Sequence, residues 1–284
     1  MGEASFVEGR LDKGASWRIQ YQVQGSGPDV VLLHGGGPGA TGTSNFSKNI
    51  DALAQHHRCW VIDFPGWGRS SKNLNAFGGE GPFHNGARAV LAFMDALGIR
   101  RADLIGNSFG GSSALCLAMA HPERVGKLVL MGPGGGVVEG AKGPTEGIVQ
   151  LLTYYLGDGP SLEKLQAFIK NLVHDQRLLT PELVRLRFEA SNDPEIRANP
   201  PLVPPPGGPG KETFISLDPR LPTLPHRTLF VWGLQDKVNP VAGLQPFRVM
   251  PNADYLLLNA CGHWAQWEHP ERFNDAVLSF LKHA

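Results

Sequence analysis

The feature that most constrains the fold is an apolar run leading directly into Gly-x-Ser-x-Gly, at residues 104–110 (LIGNSFG). This order predicts a strand, a sharp turn and a helix, with the serine at the turn. Gly106 and Gly110 are expected where a Cβ atom would collide with the neighbouring strand or helix. The strained backbone would lift the Ser108 hydroxyl clear of the fold, which is how a nucleophile is presented.

A serine hydroxyl is a poor nucleophile by itself, so the chain must also supply a base and an acid that orients it. The candidate base is His263, which follows a glycine and the strand-like run 255–258 (YLLL). The candidate acid is Asp236, which follows the β-rich run 229–232 (LFVW). The chain order Ser108, Asp236, His263 is the order of the α/β-hydrolase fold.

Donors for an oxyanion are expected from residues 34–39 (HGGGPG), a glycine-rich loop that follows the apolar run 30–33. Its backbone N–H groups can point at a developing negative charge, together with the N–H of Phe109. A glycine-rich loop after a strand can also cradle a phosphate. That alternative fits badly, because no Lys-Ser/Thr pair follows the glycines, as a phosphate-binding P-loop requires.

The composition excludes several other classes of protein. The chain has 284 residues, and its 26 Lys and Arg balance its 26 Asp and Glu, which argues against nucleic acid or an anionic membrane as a partner. Without a long apolar segment or a signal-like N-terminus, a cytoplasmic location is expected. The scattered Cys59, Cys116 and Cys261 predict neither disulfides nor a metal site, and Cys261 is expected to be a small buried residue. No cofactor is expected.

Short β-rich runs alternate with helical patterns along most of the chain, which predicts an α/β fold with parallel strands joined by crossover helices. The turn at residues 63–70 is interpreted as a structural bend without chemistry. The predicted strands are 18–24, 30–33, 59–64, 102–105, 127–131, 228–232 and 255–258, and the predicted helices are 87–97, 111–120 and 273–281.

The alternation breaks after residue 136, where an insert divides the hydrolase core. The core is predicted to comprise residues 1–142 and 214–284, with a helical lid at 143–213 between them. Within the lid, Thr180 is a predicted N-cap and Pro181 the first helical residue. Residues 199–210 are too rich in proline for helix or central strand. The insert is expected to lie across the strand ends that carry Ser108.

Four runs together resemble one branch of this fold, the meta-cleavage product hydrolases, which split carbon–carbon bonds in ring-opened aromatic compounds. They are 34–40 with 44–46 (SNF), 106–111, 126–135 and 261–269 (CGHWAQWEH). The last run is the most specific, since general esterases share the serine motif but lack it. The resemblance extends over nearly the whole chain.

The resemblance implies a substrate of the 2-hydroxy-6-oxohexa-2,4-dienoate type, hydrolysed to 2-hydroxypenta-2,4-dienoate and a carboxylic acid. Carbon is a prohibitive leaving group unless an electron sink is installed first, and the family does this by converting the dienol to a ketone. That step needs a cationic, hydrogen-bonding site for the carboxylate and 2-oxo end.

By the same resemblance, Arg187 on the lid helix would pair with the substrate carboxylate. The N–H groups of Gly36 and Phe109 would form the oxyanion hole. Further substrate-binding residues would be Gly37, Asn45, Asn107 and Trp264. One departure is Arg177, which falls where relatives carry a small polar residue that touches substrate; it either points outward to Asp175 or adds a second cation, and it is left outside the predicted site.

Two other functions stay open at this point. A carboxylesterase of the same fold would keep the triad but need neither Arg187 nor Asn45, and a non-catalytic ligand-binding protein would need no triad. The sequence also leaves open the group on the 6-oxo carbon, which could be phenyl, alkyl, carboxylated or steroid-derived. A homo-oligomer, a dimer or larger, is expected because relatives form such assemblies.

Overall fold

One mixed sheet of eight strands organises the chain. The structure, a computed structural model, describes residues 4–11, 14–203 and 214–282. The strand order is β1-β2-β4-β3-β5-β6-β7-β8, in which β1, β2 and β4 pair antiparallel and all later pairs are parallel. The strands are β1 Ser5–Arg10, β2 Ser16–Gln24, β3 Asp29–Leu33, β4 Arg58–Ile62, β5 Ala102–Asn107, β6 Val125–Met131, β7 Thr228–Gly233 and β8 Ala253–Leu258.

All seven predicted strands are present, with ends that differ by a few residues. The fourth strand stops at Ile62 rather than at residue 64. The first strand, Ser5–Arg10, was not predicted, because it lies at the sheet edge and its side chains alternate between half-buried and exposed. By contrast, the central strands Asp29–Leu33 and Thr228–Gly233 are almost wholly buried, as parallel strands covered on both faces must be.

Helices cover both faces of the sheet, and each predicted helix is present in longer form. No described helix is long and apolar enough to cross a membrane. The helices are α1 Gly42–Phe46, α2 Ile50–Leu53, α3 Pro82–Ala96, α4 Phe109–Ala120, α5 Glu146–Thr153, α6 Leu162–Ile169, α7 Pro181–Ser191, α8 Pro194–Ala198, α9 Ala265–Glu268 and α10 Pro270–Lys282.

The insert between β6 and β7 contains the four helices α5 to α8. As predicted, Thr180 caps α7, its side chain accepting from the N–H of Leu183, and Pro181 is the first helical residue. The insert has its own apolar cluster, which packs against the core through Val238 and Trp264. Residues 204–213, which include most of the predicted proline-rich loop and the predicted end of the insert, lie outside the described residues.

The turn between β5 and α4 has the strained geometry that its sequence predicts. Ser108 has φ 50° and ψ −111°, a conformation that few non-glycine residues adopt. A Cβ atom on Gly106 would lie 2.6 Å from the carbonyl carbon of Gly110. A Cβ atom on Gly110 would collide with the backbone of Leu33, 2.6 Å from its carbonyl carbon. The turn therefore packs backbone directly against backbone.

We expect Gly110→Ala to destabilise the protein by about 3 kcal/mol, because the added methyl group meets rigid backbone that cannot move aside. Gly243→Ala is the matched control, since its nearest neighbours lie 3.8 Å or more from the ideal Cβ position, and it should cost less than about 1 kcal/mol. Urea unfolding of both variants measures the difference. Equal stability of the two would contradict the close approach at Gly110.

Candidate active site

Two of the predicted triad residues are joined by a short, buried hydrogen bond. His263 Nδ1 lies 2.7 Å from Asp236 Oδ2, and both side chains are almost fully buried. The other carboxylate oxygen, Oδ1, accepts from the backbone N–H groups of Val238 at 2.8 Å and Asn239 at 2.9 Å. These bonds fix the carboxylate, which in turn fixes the orientation and tautomer of the imidazole.

The loops that carry the acid and the base are joined to each other by a glutamine. Gln235 precedes the acid, and its amide donates to Asn259 Oδ1 at 3.0 Å and accepts from the N–H of Cys261 at 3.1 Å. Cys261 is buried, as expected. Asp236 and His263 come from different strand ends, so this cross-link stabilises their relative position.

His34 is a structural residue of the glycine-rich loop. Its Nε2 accepts from the N–H of Phe64 at 2.9 Å, so the proton lies on Nδ1, which is 2.7 Å from the carbonyl oxygen of Gly35. Burial, with a smaller contribution from the charge of Arg187, lowers the pKa of His34 to about 4, although the hydrogen bond to Gly35 opposes the shift. The imidazole is therefore neutral at pH 7 and holds the loop in place.

The two predicted oxyanion donors are neighbours across the site. A Cβ atom on Gly36 would lie 3.2 Å from Cβ of Phe109, so the glycine-rich loop packs against the start of α4. Phe109 is the first residue of that helix, where backbone N–H groups lack helical partners. This placement is compatible with a shared oxyanion site formed by the two N–H groups.

Arg187 is buried in α7 with a relative exposure of only 2%, which is unusual for an arginine. Its Nε and Nη2 donate to the carbonyl oxygen of Pro38 at 3.1 and 2.7 Å, and its guanidinium carbon lies 4.9 Å from the Trp264 ring centre. Within the described residues, Nη1 has no hydrogen-bond partner and no carboxylate pairs with the group. Burial lowers its pKa to about 10, so it stays cationic at neutral pH.

Two amide side chains connect the site to the base. Asn45 Nδ2 donates to Asn107 Oδ1 at 3.1 Å, and Asn107 Nδ2 donates to the carbonyl oxygens of Met131 at 3.3 Å and His263 at 3.4 Å. Asn107 therefore positions the His263 backbone. In the part of the chain that is described, the buried Oδ1 of Asn45 has no partner.

A small cavity brings the predicted residues together. Its volume of about 10 Å³ is room for roughly one water molecule. Helices α5 to α7 and the segment that follows α6 form one side of it, opposite the glycine-rich loop. The lining residues are Gly35, Gly36, Gly37, Ala40, Asn45, Asn107, Ser108, Leu151, Phe168, Leu172, Arg187, Val238, His263 and Trp264.

Comparison with known proteins agrees with this geometry. Residues 29–270 match the model of the alpha/beta hydrolase fold family. A 2-hydroxy-6-oxononadienedioate/2-hydroxy-6-oxononatrienedioate hydrolase of Burkholderia vietnamiensis is 41% identical, with 96% of this chain and 93% of the relative covered. The meta-cleavage product hydrolase of Pseudomonas fluorescens IP01, in a mutant form complexed with acetates, has a TM-score of 0.82 at 31% identity, with 93% of this chain and 94% of that chain covered.

The chain belongs to the meta-cleavage product hydrolases. The 2-hydroxy-6-oxo-6-phenylhexa-2,4-dienoate hydrolase from Rhodococcus sp. strain RHA1 is also similar, with a TM-score of 0.78 at 27% identity over 99% of this chain and all of that chain. The α/β-hydrolase fold and the family expected from the sequence are both confirmed, and the chain is a hydrolase of carbon–carbon bonds.

In this member of the family, Arg177 points away from the cavity. Its side chain is 90% exposed and forms a two-pronged ion pair with Asp175, with Nε–Oδ1 at 2.9 Å and Nη2–Oδ2 at 2.7 Å. The first of the two orientations considered for it, outward to Asp175, is the one observed. It contributes no second cation to the lining of the cavity.

Sequence reasoning missed several residues that shape this site. The apolar lining by Leu151, Phe168, Leu172 and Val238 was not predicted, because nothing local distinguishes these side chains from an ordinary helix core. The position of His34 directly after β3 was noted only as part of the glycine-rich loop. Among the described residues, no group of three or more His, Cys, Asp or Glu side chains is placed to hold a metal ion.

Ser108→Ala should fold normally and still bind a dienoate, but its turnover should fall by a factor of about 10³ or more, because only the nucleophile is removed. Single-turnover absorbance of the dienoate measures the loss, and circular dichroism checks the fold. Near wild-type product formation would exclude Ser108 as the nucleophile.

The buried neutral His34 should make stability depend on pH. Its pKa lies below its ordinary value of 6.5, so between pH 6.5 and 4 the unfolded chain binds more protons at this group than the folded protein does. Its contribution to stability is complete above the higher pKa and is lost as the pH falls. By linkage, the free energy of unfolding should drop by about 2 kcal/mol between roughly pH 7.5 and pH 5 because of this group.

Urea unfolding of wild type and His34→Gln at both pH values isolates this contribution, since glutamine can replace both hydrogen bonds and does not titrate. The comparison cancels the opposite contribution of Asp63, a buried carboxyl whose pKa burial raises to about 6. An identical pH dependence in the two proteins would show that His34 does not titrate in this way.

Proposed function

We propose that the chain hydrolyses the bond between carbons 5 and 6 of a 2-hydroxy-6-oxohexa-2,4-dienoate, with Ser108, Asp236 and His263 as its catalytic triad. The observation that carries the proposal is a buried arginine, Arg187, without a carboxylate partner in the described chain and in the same cavity as Ser108. An uncompensated buried cation costs several kcal/mol of stability, and a substrate carboxylate would offset that cost. An esterase acting on neutral esters has no use for it.

The polar residues of the cavity lining determine how the substrate would bind. The carboxylate pairs with the free Nη1 of Arg187, while Gly37, Asn45, Asn107 and the Trp264 indole N–H surround the carboxylate and the 2-hydroxyl group. Asn45 has an unpaired amide oxygen that can accept the 2-hydroxyl proton in a hydrogen bond. The relatives named above as dienoate and dienedioate hydrolases support this substrate class.

The first chemical step is the conversion of the dienol to its keto form. The proton leaves the 2-hydroxyl group, the electrons move along the diene, and carbon 5 gains a proton. Among the described lining residues only Arg187 and His263 are ionisable. We therefore assign the proton movement to His263, and we assign to Arg187 the stabilisation of the negative charge that gathers at the carboxylate and 2-oxo end.

Cleavage then follows the chemistry of a serine hydrolase. Ser108 Oγ attacks carbon 6 as His263 takes its proton, and the N–H groups of Gly36 and Phe109 stabilise the oxyanion. The bond between carbons 5 and 6 breaks, and its electrons enter the 2-oxo acid to give the enolate of 2-hydroxypenta-2,4-dienoate. The enolate takes the proton held by His263 and leaves as 2-hydroxypenta-2,4-dienoate. Water then attacks the acyl group as His263 takes a proton from it, and His263 returns this proton to Ser108 Oγ as the carboxylic acid is released.

Different observations favour different groups on carbon 6. The relatives that act on nonadienedioates support a chain ending in a second carboxylate. The apolar lining by Leu151, Leu172 and Val238 supports an alkyl or phenyl group. Comparison of kcat/KM for a nonadienedioate and for a 6-phenyl and a 6-alkyl dienoate distinguishes them.

We also infer that the insert acts as a lid. A cavity of about 10 Å³ is far smaller than a dienoate, so the substrate enters only if part of the lining moves. The insert supplies Leu151, Phe168, Leu172 and Arg187, and the rest of the lining belongs to the sheet and its loops. Movement of the insert is therefore the simplest route of entry.

Arg187→Ala distinguishes the dienoate hydrolase from an esterase. The substrate anion loses its counter-charge in a closed site, so kcat/KM for the dienoate should fall by a factor that corresponds to about 2–4 kcal/mol. Hydrolysis of a neutral p-nitrophenyl ester should change only a few-fold, because the triad and the oxyanion donors are untouched. Arg185→Ala is the matched control, since Arg185 lies on the same helix in an exposed ion pair with Glu189.

Two results would contradict this assignment. An unchanged kcat/KM for the dienoate in Arg187→Ala would place Arg187 outside the substrate site. Equal losses for dienoate and ester would indicate that the insert has collapsed rather than that an anion has lost its partner.

A further inference from the structure

The insert touches the loop of the catalytic base along one short contact, between residues 172–175 of the insert and residues 262–268, which we call the seam. The N–H of Trp264, the residue after His263, donates to the carbonyl oxygen of Leu172 at 3.0 Å. Leu172 follows α6 in the insert and lines the cavity. Trp264 also lines the cavity, so this hydrogen bond joins two residues of the site.

A second link across this seam is made by Glu268, the last residue of α9. Its Oε1 accepts from the N–H of Gly262 at 2.6 Å, and its Oε2 accepts from the N–H groups of His174 at 2.7 Å and Asp175 at 3.1 Å. Gly262 immediately precedes the base. One half-buried carboxylate thus holds three backbone N–H groups, one on the base loop and two on the insert.

The seam is tight enough to require glycine on one side. A Cβ atom on Gly262 would lie 2.9 Å from the backbone nitrogen of His174 and 2.9 Å from the carbonyl carbon of Val173. The two backbones are therefore in direct contact, with the carboxylate beside them. Burial raises the pKa of Glu268 above its ordinary value, and the hydrogen bonds from its three N–H partners oppose this shift.

We propose that Glu268 is a positioning residue for the catalytic base, which fixes the backbone before His263 to the insert segment 172–175. The base and the adjoining lining of the cavity then keep one relative position while other parts of the insert move. This inference rests on the proposed function, because it concerns the base of the same site. Glu268 itself does not line the cavity and acts through Gly262.

The test variant is Glu268→Gln, which keeps the shape of the side chain but replaces one acceptor oxygen with an NH₂ group. That group would face an N–H, so either the Gly262 bond or the two insert bonds are lost. Glu271→Gln is the matched control. Glu271 is exposed in the first turn of α10, and like Glu268 it places a negative charge near Lys48, so both variants remove one such charge.

In Glu268→Gln we expect kcat to fall by about ten- to a hundredfold for both the dienoate and a p-nitrophenyl ester, because both need a correctly placed imidazole. KM for the dienoate should change by less than about threefold. Active sites are counted with a fluorophosphonate, so that kcat refers to folded enzyme. Amide hydrogen exchange should speed up at both 172–175 and 259–263. Glu271→Gln should leave kcat for both substrates, KM and the exchange rates unchanged.

Three results would overturn the proposal. They are an unchanged kcat per active site in Glu268→Gln, an equal loss of kcat in Glu271→Gln, and faster exchange on one side of the seam without loss of kcat. If Glu268→Gln does not fold, Glu268→Asp is measured in the same way, and full kcat with this shorter side chain overturns the proposal as well. Failure of wild type to cleave any dienoate would contradict the proposed function, while the ester still reports on Glu268.

Discussion

The site depends on the direct contact of backbone with backbone at the turn after β5. Gly106 and Gly110 allow α4 to start against the end of β3, and the cost of this approach is a serine in a conformation that side chains avoid. The contact brings the glycine-rich loop beside Ser108, since that loop begins where β3 ends. Parallel order then places the ends of β7 and β8, with the acid and the base, along the same edge of the sheet.

Charge in the site is arranged around one cation. His34 is neutral because of its burial and its hydrogen bond from Phe64, so it adds no positive charge beside Arg187. Arg187 is held by a carbonyl oxygen and an aromatic ring, which orient the guanidinium without neutralising it. Positive charge is therefore concentrated at one part of the cavity lining, where a cation would attract an anion in the proposed reaction.

Sequence reasoning reached the parts of this molecule that local signals determine. The turn at Ser108, the buried strands and the cap at Thr180 each have a signature within a few residues, and each is present. The edge strand β1 lacked such a signature because one of its faces is only half-buried and the other is exposed to solvent. The place of Arg187 in the site was expected only through resemblance to a family, since a helix of mixed polarity does not reveal which of its sides will be buried.

The residues that sequence reasoning missed act through tertiary contacts. Asn107 was expected to bind substrate, but its hydrogen bond to the His263 backbone, which lies 156 residues further along the chain, was not predicted. Glu268 belongs to the run that carries the resemblance, but its partners lie about 94 residues earlier, in the insert. Only the folded arrangement shows such pairs, because neither partner has a distinctive local pattern.

The link made by Glu268 also bears on how this insert can diversify. All three of its partners are backbone N–H groups, which every residue except proline possesses. The connection to the catalytic loop thus places almost no demand on the side chains at positions 174 and 175. Substitutions at these two positions can change the surface of the insert while the contact with Glu268 is kept. To keep this particular contact, a transplanted insert would need to present two backbone N–H groups to Glu268 in the same position.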